Sequence, residues 1–146
     1  MNFDFLKETP ELEALFERCN KAEQLAVSFP DMSCASARTA LEYIVTLVYK
    51  SVIHQDVSSQ TLFERVTDPA FVEYINDETI ISAIHTVRIN GNCGAHGKAV
   101  TPAVACKTLE QLQYIIGEIC INLGIIKDYP VFVSPLTKVT KASNKP

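Results

Sequence analysis

An all-α bundle of about four main helices, with short connecting helices and an extended C-terminal tail, is the fold class this sequence predicts. Three observations lead there: apolar residues recur at helical spacing along most of the chain, strand-like alternation is scarce, and no repeat of fixed period divides it. A length of 146 residues with 47% hydrophobic side chains suits a single core and leaves no room for two full domains and a linker.

The first helix is expected from Thr9, Pro10 and Glu11, which offer an N-cap, a proline at the first helical position and an early acid. Leu12, Leu15, Phe16, Cys19, Ala22 and Ala26 follow at helical spacing, and the helix stops before Pro30. Asp31 is placed to cap a second, longer helix whose stripe of Cys34, Ala37, Leu41, Ile44, Val45 and Val48 runs to about His54, with Arg38 and Glu42 on its polar flank. Residues 60–66 and 68–75 read as short connecting helices, the second with Pro69 just inside its start. Asp77 caps the next helix, built on Ile80, Ile81, Ile84 and Val87. Thr101 and Pro102 repeat the cap-plus-proline start. Val104, Ala105, Leu109, Leu112, Ile115, Ile116, Ile119 and Leu123 then make a strongly apolar last helix closed by Gly124. Tyr129 through Val133 reads as a short extended piece. The domain is expected over 1–135. Residues 136–146, with Lys138, Lys141 and Lys145 and no acid, read as a flexible linker or tail to a following segment.

Composition narrows the function. With 13 basic and 17 acidic side chains and a net charge of −4, the chain lacks a strong positive field to collect phosphate backbones, so contact with nucleic acid is expected to be indirect or weak. The odd set of Cys19, Cys34, Cys93, Cys106 and Cys120 has no C-x-x-C pair and no zinc-site spacing; these cysteines are expected to be reduced and mostly buried, with no metal and no cofactor. Charged residues interrupt the amino terminus, which excludes the apolar region of a signal peptide. The most apolar stretch, broken by Glu118 and Asn122, falls short of the roughly 20 residues that span a bilayer. A cytoplasmic protein without a membrane partner is expected.

The segment from His85 to Gly97 carries the candidate chemistry. Its run from Gly91 to Ala99 superficially matches a phosphate-binding loop, but the glycine spacing is one residue too long, Ala99 stands where a hydroxyl is needed, and no buried strand precedes it. The Gly91/Gly94 and Gly94/Gly97 pairs resemble the clamp of KH domains, without that fold's strands and basic groove. If the helix runs on through Gly91, then His85, Arg88, Asn92 and His96 share one face within an arc of roughly 80°. Gly91 and Gly94 each weaken a helix by about 1 kcal/mol relative to Ala, so their presence predicts a close-packing turn against another backbone. Two readings follow. In one, Arg38, Glu42, His85, Arg88, Asn92 and His96 form a satisfied polar network. In the other, His96 is the general base or acid for a ribose 2′-hydroxyl and Arg88 stabilises charge on the phosphate, as in metal-independent ribonucleases, with Asn92 beside them.

Several motifs together resemble one family: Asn2-Phe3-Asp4-Phe5-Leu6-Lys7, Ala22-Glu23, Arg38-x-x-x-Glu42, the string H-x-x-R-x-x-G-N-x-x-x-H over 85–96, and the P-V-F-V-x-P run over 130–135. In this order they resemble the N-terminal HEPN-like domain of type I restriction enzyme R (HsdR) subunits and related DEAD/DEAH-box helicase proteins. The resemblance implies an all-α HEPN-like accessory domain in a DNA restriction or defence system. Its expected partners are other restriction subunits or C-terminal nuclease and translocase domains, and it is compatible with a homodimer. Such a chain is expected not to be an enzyme by itself, although the parent protein would be an ATP-dependent deoxyribonuclease. Active HEPN ribonucleases are expected to place Arg four to six residues before the His. Gly91 holds the usual place here, and Arg88 lies about 4.5 Å further along the axis.

Overall fold

Six α-helices, α1 (Glu13–Leu25), α2 (Pro30–Val48), α3 (Leu62–Thr67), α4 (Pro69–Ile75), α5 (Glu78–Ala95) and α6 (Pro102–Asn122), carry the chain, with 3₁₀ turns at Asp4–Leu6 and Pro10–Leu12 and a π turn at Tyr49–Ile53. A further helical turn covers 135–137, and no strand occurs among the described residues. The structure is a computed structural model that describes residues 1–96 and 98–137. The greater part of the expected tail, from 138 onward, therefore lies outside the described residues.

Local chemistry explains most helix starts. Asp77 accepts hydrogen bonds from the backbone N–H groups of Thr79 and Ile80, Asp68 from Ala70, and Thr101 from Val104, so side-chain oxygens satisfy amides that have no partner within the helix. Thr61 and Glu64 form a reciprocal capping box at the start of α3. Two expected starts differ. Thr9 makes no side-chain cap bond, and the Pro10 turn is 3₁₀, so α1 begins only at Glu13. Asp31 is not the cap of α2, because Pro30 itself opens that helix, after Phe29, and Asp31 becomes an acid of its first turn. Proline fits there because its missing N–H would have had no helical acceptor and its φ is already helical.

The central helix is α2, which packs mainly on α5 and α1 and also on α6. Beyond Val48 it passes into the π turn, which closes at His54 in the left-handed region with φ 59°. The apolar stripes meet as expected: Leu15, Cys19 and Ala22 of α1, Cys34, Leu41 and Ile44 of α2, Ile84 and Val87 of α5, and Leu109, Leu112 and Ile116 of α6 are all fully buried. Val104, assigned to the α6 stripe, instead lies exposed. The residues over 129–133 run without regular structure and pack back on α6, and Gly124 with φ 74° turns the chain after that helix. All five cysteines are free, with only Cys93 outside the buried set. No described helix is long and apolar enough to cross a membrane.

Candidate functional site

The α5 helix runs unbroken through Gly91 and Gly94 to Ala95, because both glycines lie where neighbouring chain approaches. A Cβ at Gly94 would overlap the backbone carbonyl oxygen of Asp31 and come within 3.3 Å of the Ala35 nitrogen, so the first turns of α2 pass directly over it. A Cβ at Gly91 would overlap the Cβ of Arg38 and come within 3.0 Å of its Cγ and Cδ. The Arg38 stem therefore lies against α5 while its Nη1 donates to Glu42 Oε1 at 2.6 Å, one helical turn further on. Arg38 Nε is buried without a hydrogen-bond partner. A partly exposed i,i+4 pair of this kind adds only about 0.3–0.5 kcal/mol, and it holds the guanidinium to one side.

The six residues expected in one polar network separate into two pairs and two unbonded side chains. Arg38 and Glu42 form the first pair. In the second, Arg88 Nε donates to His85 Nδ1 at 3.4 Å, and the Arg88 guanidinium lies over the Phe63 ring at 5.0 Å from its centroid. Burial first, and then the Arg88 charge, holds His85 below the ordinary histidine value of 6.5, which favours the neutral ring that accepts this bond. Neither Asn92 nor His96 makes a side-chain hydrogen bond or ion pair to a described residue. His96 is the exposed C-cap of α5, and its backbone N–H bonds to Asn92 O.

Seven residues of continuous helix, 89–95, lie between Arg88 and His96, which are about 12 Å apart along the axis. The guanidinium is engaged with His85, which lies one turn toward the start of α5, and with Phe63 of α3. The arrangement does not bring Arg88 and His96 to one phosphate, and displacements of about 1 Å already cost roughly 10²-fold in a positioned reaction. Sharing a helical face was legible from spacing; the axial separation and the direction of the Arg88 side chain limit what that face can do. The neighbouring Asn90, absent from the expected set, adds a side-chain bond between the packed helices α5 and α6, its Nδ2 donating to Thr108 Oγ1 at 3.0 Å.

A second polar centre joins the two ends of the described chain. Asn2 Nδ2 donates to Val133 O and Val133 N donates to Asn2 Oδ1, both at 2.8 Å. Asn2 N donates to Glu23 Oε1 at 3.1 Å, and Gln113 Nε2 donates to Asn2 O and Pro130 O at 3.1 Å each. Asn2, Glu23 and Gln113 are all buried. Beside them, Tyr129 lies over Gly117, where a Cβ would overlap its ring, and its hydroxyl donates to Glu118 at 2.8 Å. Burial, together with the Glu118 carboxylate, pushes the Tyr129 phenol up to about 12. Gln113 and Glu23 stand in the sequence as polar residues inside apolar stripes, which marks them for a buried polar contact without naming the partner.

Among the described residues no group of His, Cys, Asp and Glu is arranged to hold a metal ion. Compared with protein-family models, curated proteins and solved structures, the chain gives no match.

Proposed function

We propose that this chain acts as a non-catalytic, HEPN-like accessory domain of a type I restriction R subunit or a related helicase-like defence protein, contributing to subunit assembly or the positioning of nucleic acid. The clasp is the observation that carries this reading. Three of the motifs on which the resemblance rests, the opening Asn2 segment, Glu23 and the segment from Pro130 to Val133, meet in one buried to part-buried set of hydrogen bonds. Their chemistry is that of fixing chain ends to a bundle. Each buried polar group there has a partner, so the motif residues are explained without a substrate. The separation of Arg88 from His96 favours the same reading over a free-standing metal-independent ribonuclease.

The test is assembly. The purified chain, mixed with the methylation and specificity subunits of a type I system from the same genome, is expected to co-elute with them in gel filtration. Separate elution at concentrations well above the micromolar range would contradict the proposal.

A further inference from the structure

The first turns of α2 and the last turn of α5 touch backbone to backbone at Gly94, where a Cβ would overlap the Asp31 carbonyl oxygen. Two thiols flank this contact, Cys34 on α2 and Cys93 beside Gly94 on α5. A third helix joins them through one hydroxyl. Thr108 Oγ1 of α6 accepts from Cys34 Sγ at 3.7 Å and from Asn90 Nδ2 at 3.0 Å, and Asn90 stands one turn before Cys93. A disulfide needs Cα atoms about 4.4–6.8 Å apart, and helices in backbone contact bring flanking residues into that range.

The two thiols also sense each other. Burial raises the Cys34 thiol above its ordinary value, the bond to Thr108 acts against this, and Cys93 raises it further, more strongly than Asp31 on the adjacent turn of α2. Coulomb effects fall with distance, so Cys93 lies within the reach of an adjacent helical turn. Access divides the pair. Cys93 is the one cysteine of the five outside the buried set, whereas Cys34 is fully buried and held as the thiol. Cys19 and Cys120 are another coupled pair, but both are fully buried, which closes them to an oxidant in solution.

We propose that Cys93 and Cys34 form a reversible thiol–disulfide site, in which a peroxide oxidises Cys93 first and Cys34 resolves it. The Cys93 sulfur attacks the peroxide O–O bond, one oxygen leaves as water with the thiol proton, and Cys93 becomes a sulfenic acid. The Cys34 sulfur then displaces the sulfenic hydroxyl, which leaves as a second water with the Cys34 proton. Two thiols give up two electrons and one peroxide is reduced to two waters; a dithiol reductant restores both thiols. The Thr108 hydroxyl donates to Val104 O at 2.8 Å and accepts from Asn90, so it keeps partners when the Cys34 S–H is consumed. The bond formed would fasten the start of α2 to the end of α5. This assignment is independent of the accessory-domain reading.

Peptide mapping under non-reducing conditions tests it. The reduced full chain is treated with hydrogen peroxide near neutral pH, unfolded, alkylated at its remaining thiols and analysed by mass spectrometry. A peptide pair joining Cys34 to Cys93 within one chain is expected, and dithiothreitol is expected to abolish it. Cys106→Ser is expected to retain the link. Cys93→Ser is expected to lose it and to leave Cys34 reduced, with a melting curve to verify that each variant folds. Four results in the wild-type chain would each overturn the proposal: no oxidation at Cys93, Cys93 carried to the sulfinic or sulfonic acid while Cys34 stays alkylatable, a link from Cys93 to Cys106, or a Cys93 link only between two copies.

Discussion

Gly94 marks the point where a single methyl group would do the most damage. The atoms it would meet belong to the Asp31 and Ala35 backbone of α2, which cannot rotate away as a side chain can. Gly94→Ala is therefore expected to cost about 1–3 kcal/mol and to lower the melting midpoint by roughly 4–10 °C, despite the better helix propensity of alanine. An unchanged or raised midpoint would show that the two helices are not in backbone contact. His85 gives a second prediction at this scale. Its folded-state value lies below the ordinary 6.5, so on acidification the unfolded chain takes up a proton before the folded chain does. Stability is thus expected to fall as pH drops from about 6.5 through the lower folded-state value. His85→Gln, which keeps an acceptor for Arg88, should flatten that part of a melting-midpoint profile. A wild-type profile equally flat in this range would contradict the assignment of His85 as a neutral acceptor. His96, exposed and without a described side-chain partner, is expected to tolerate substitution by Ala with little change in melting midpoint.

At the scale of elements, the clasp makes the segment from Pro130 to Val133 a structural part of the bundle although it has no regular secondary structure. Asn2→Ala removes both side-chain bonds to Val133 and leaves its amide and carbonyl without these partners, at a cost of about 1–3 kcal/mol. Hydrogen exchange at the Val133 amide is expected to rise in this variant while exchange in the middle of α2 stays slow. Equal protection in wild type and variant would show that the clasp does not hold the segment. The starts of α4, α5 and α6 were legible because Asp68, Asp77 and Thr101 act on amides two or three residues away. The start of α2 was misplaced by two residues, with Asp31 expected as the cap where Phe29 precedes the helix, because Pro30 serves equally as a stop for one helix and the first residue of the next. The capping box of Thr61 and Glu64 was present in the sequence as a T-x-x-E spacing, and it sets the start of α3. The clasp is another matter: Asn2 and Val133 lie 131 residues apart, and no local periodicity brings them together.

For the molecule as a whole, the all-helical class and most of the core followed from the spacing of apolar residues, because burial of one helical face dominates where each helix lies. Which polar residues meet was far less legible. Arg88 and His96 share a face of α5, yet one side chain lies over Phe63 of α3 and the other closes the helix in solvent. Cys34 and Cys93 come from two elements and become neighbours only where α5 meets the first turns of α2. We propose a bundle whose marked residues tie chain ends and helices together and do not form a ribonuclease centre on α5. The most direct test is turnover of a mixed single-stranded RNA in EDTA by wild type and His96→Ala, with melting curves for both. The account predicts that neither protein cleaves and that the two melt alike; cleavage by wild type that is lost in an equally folded His96→Ala protein would contradict it.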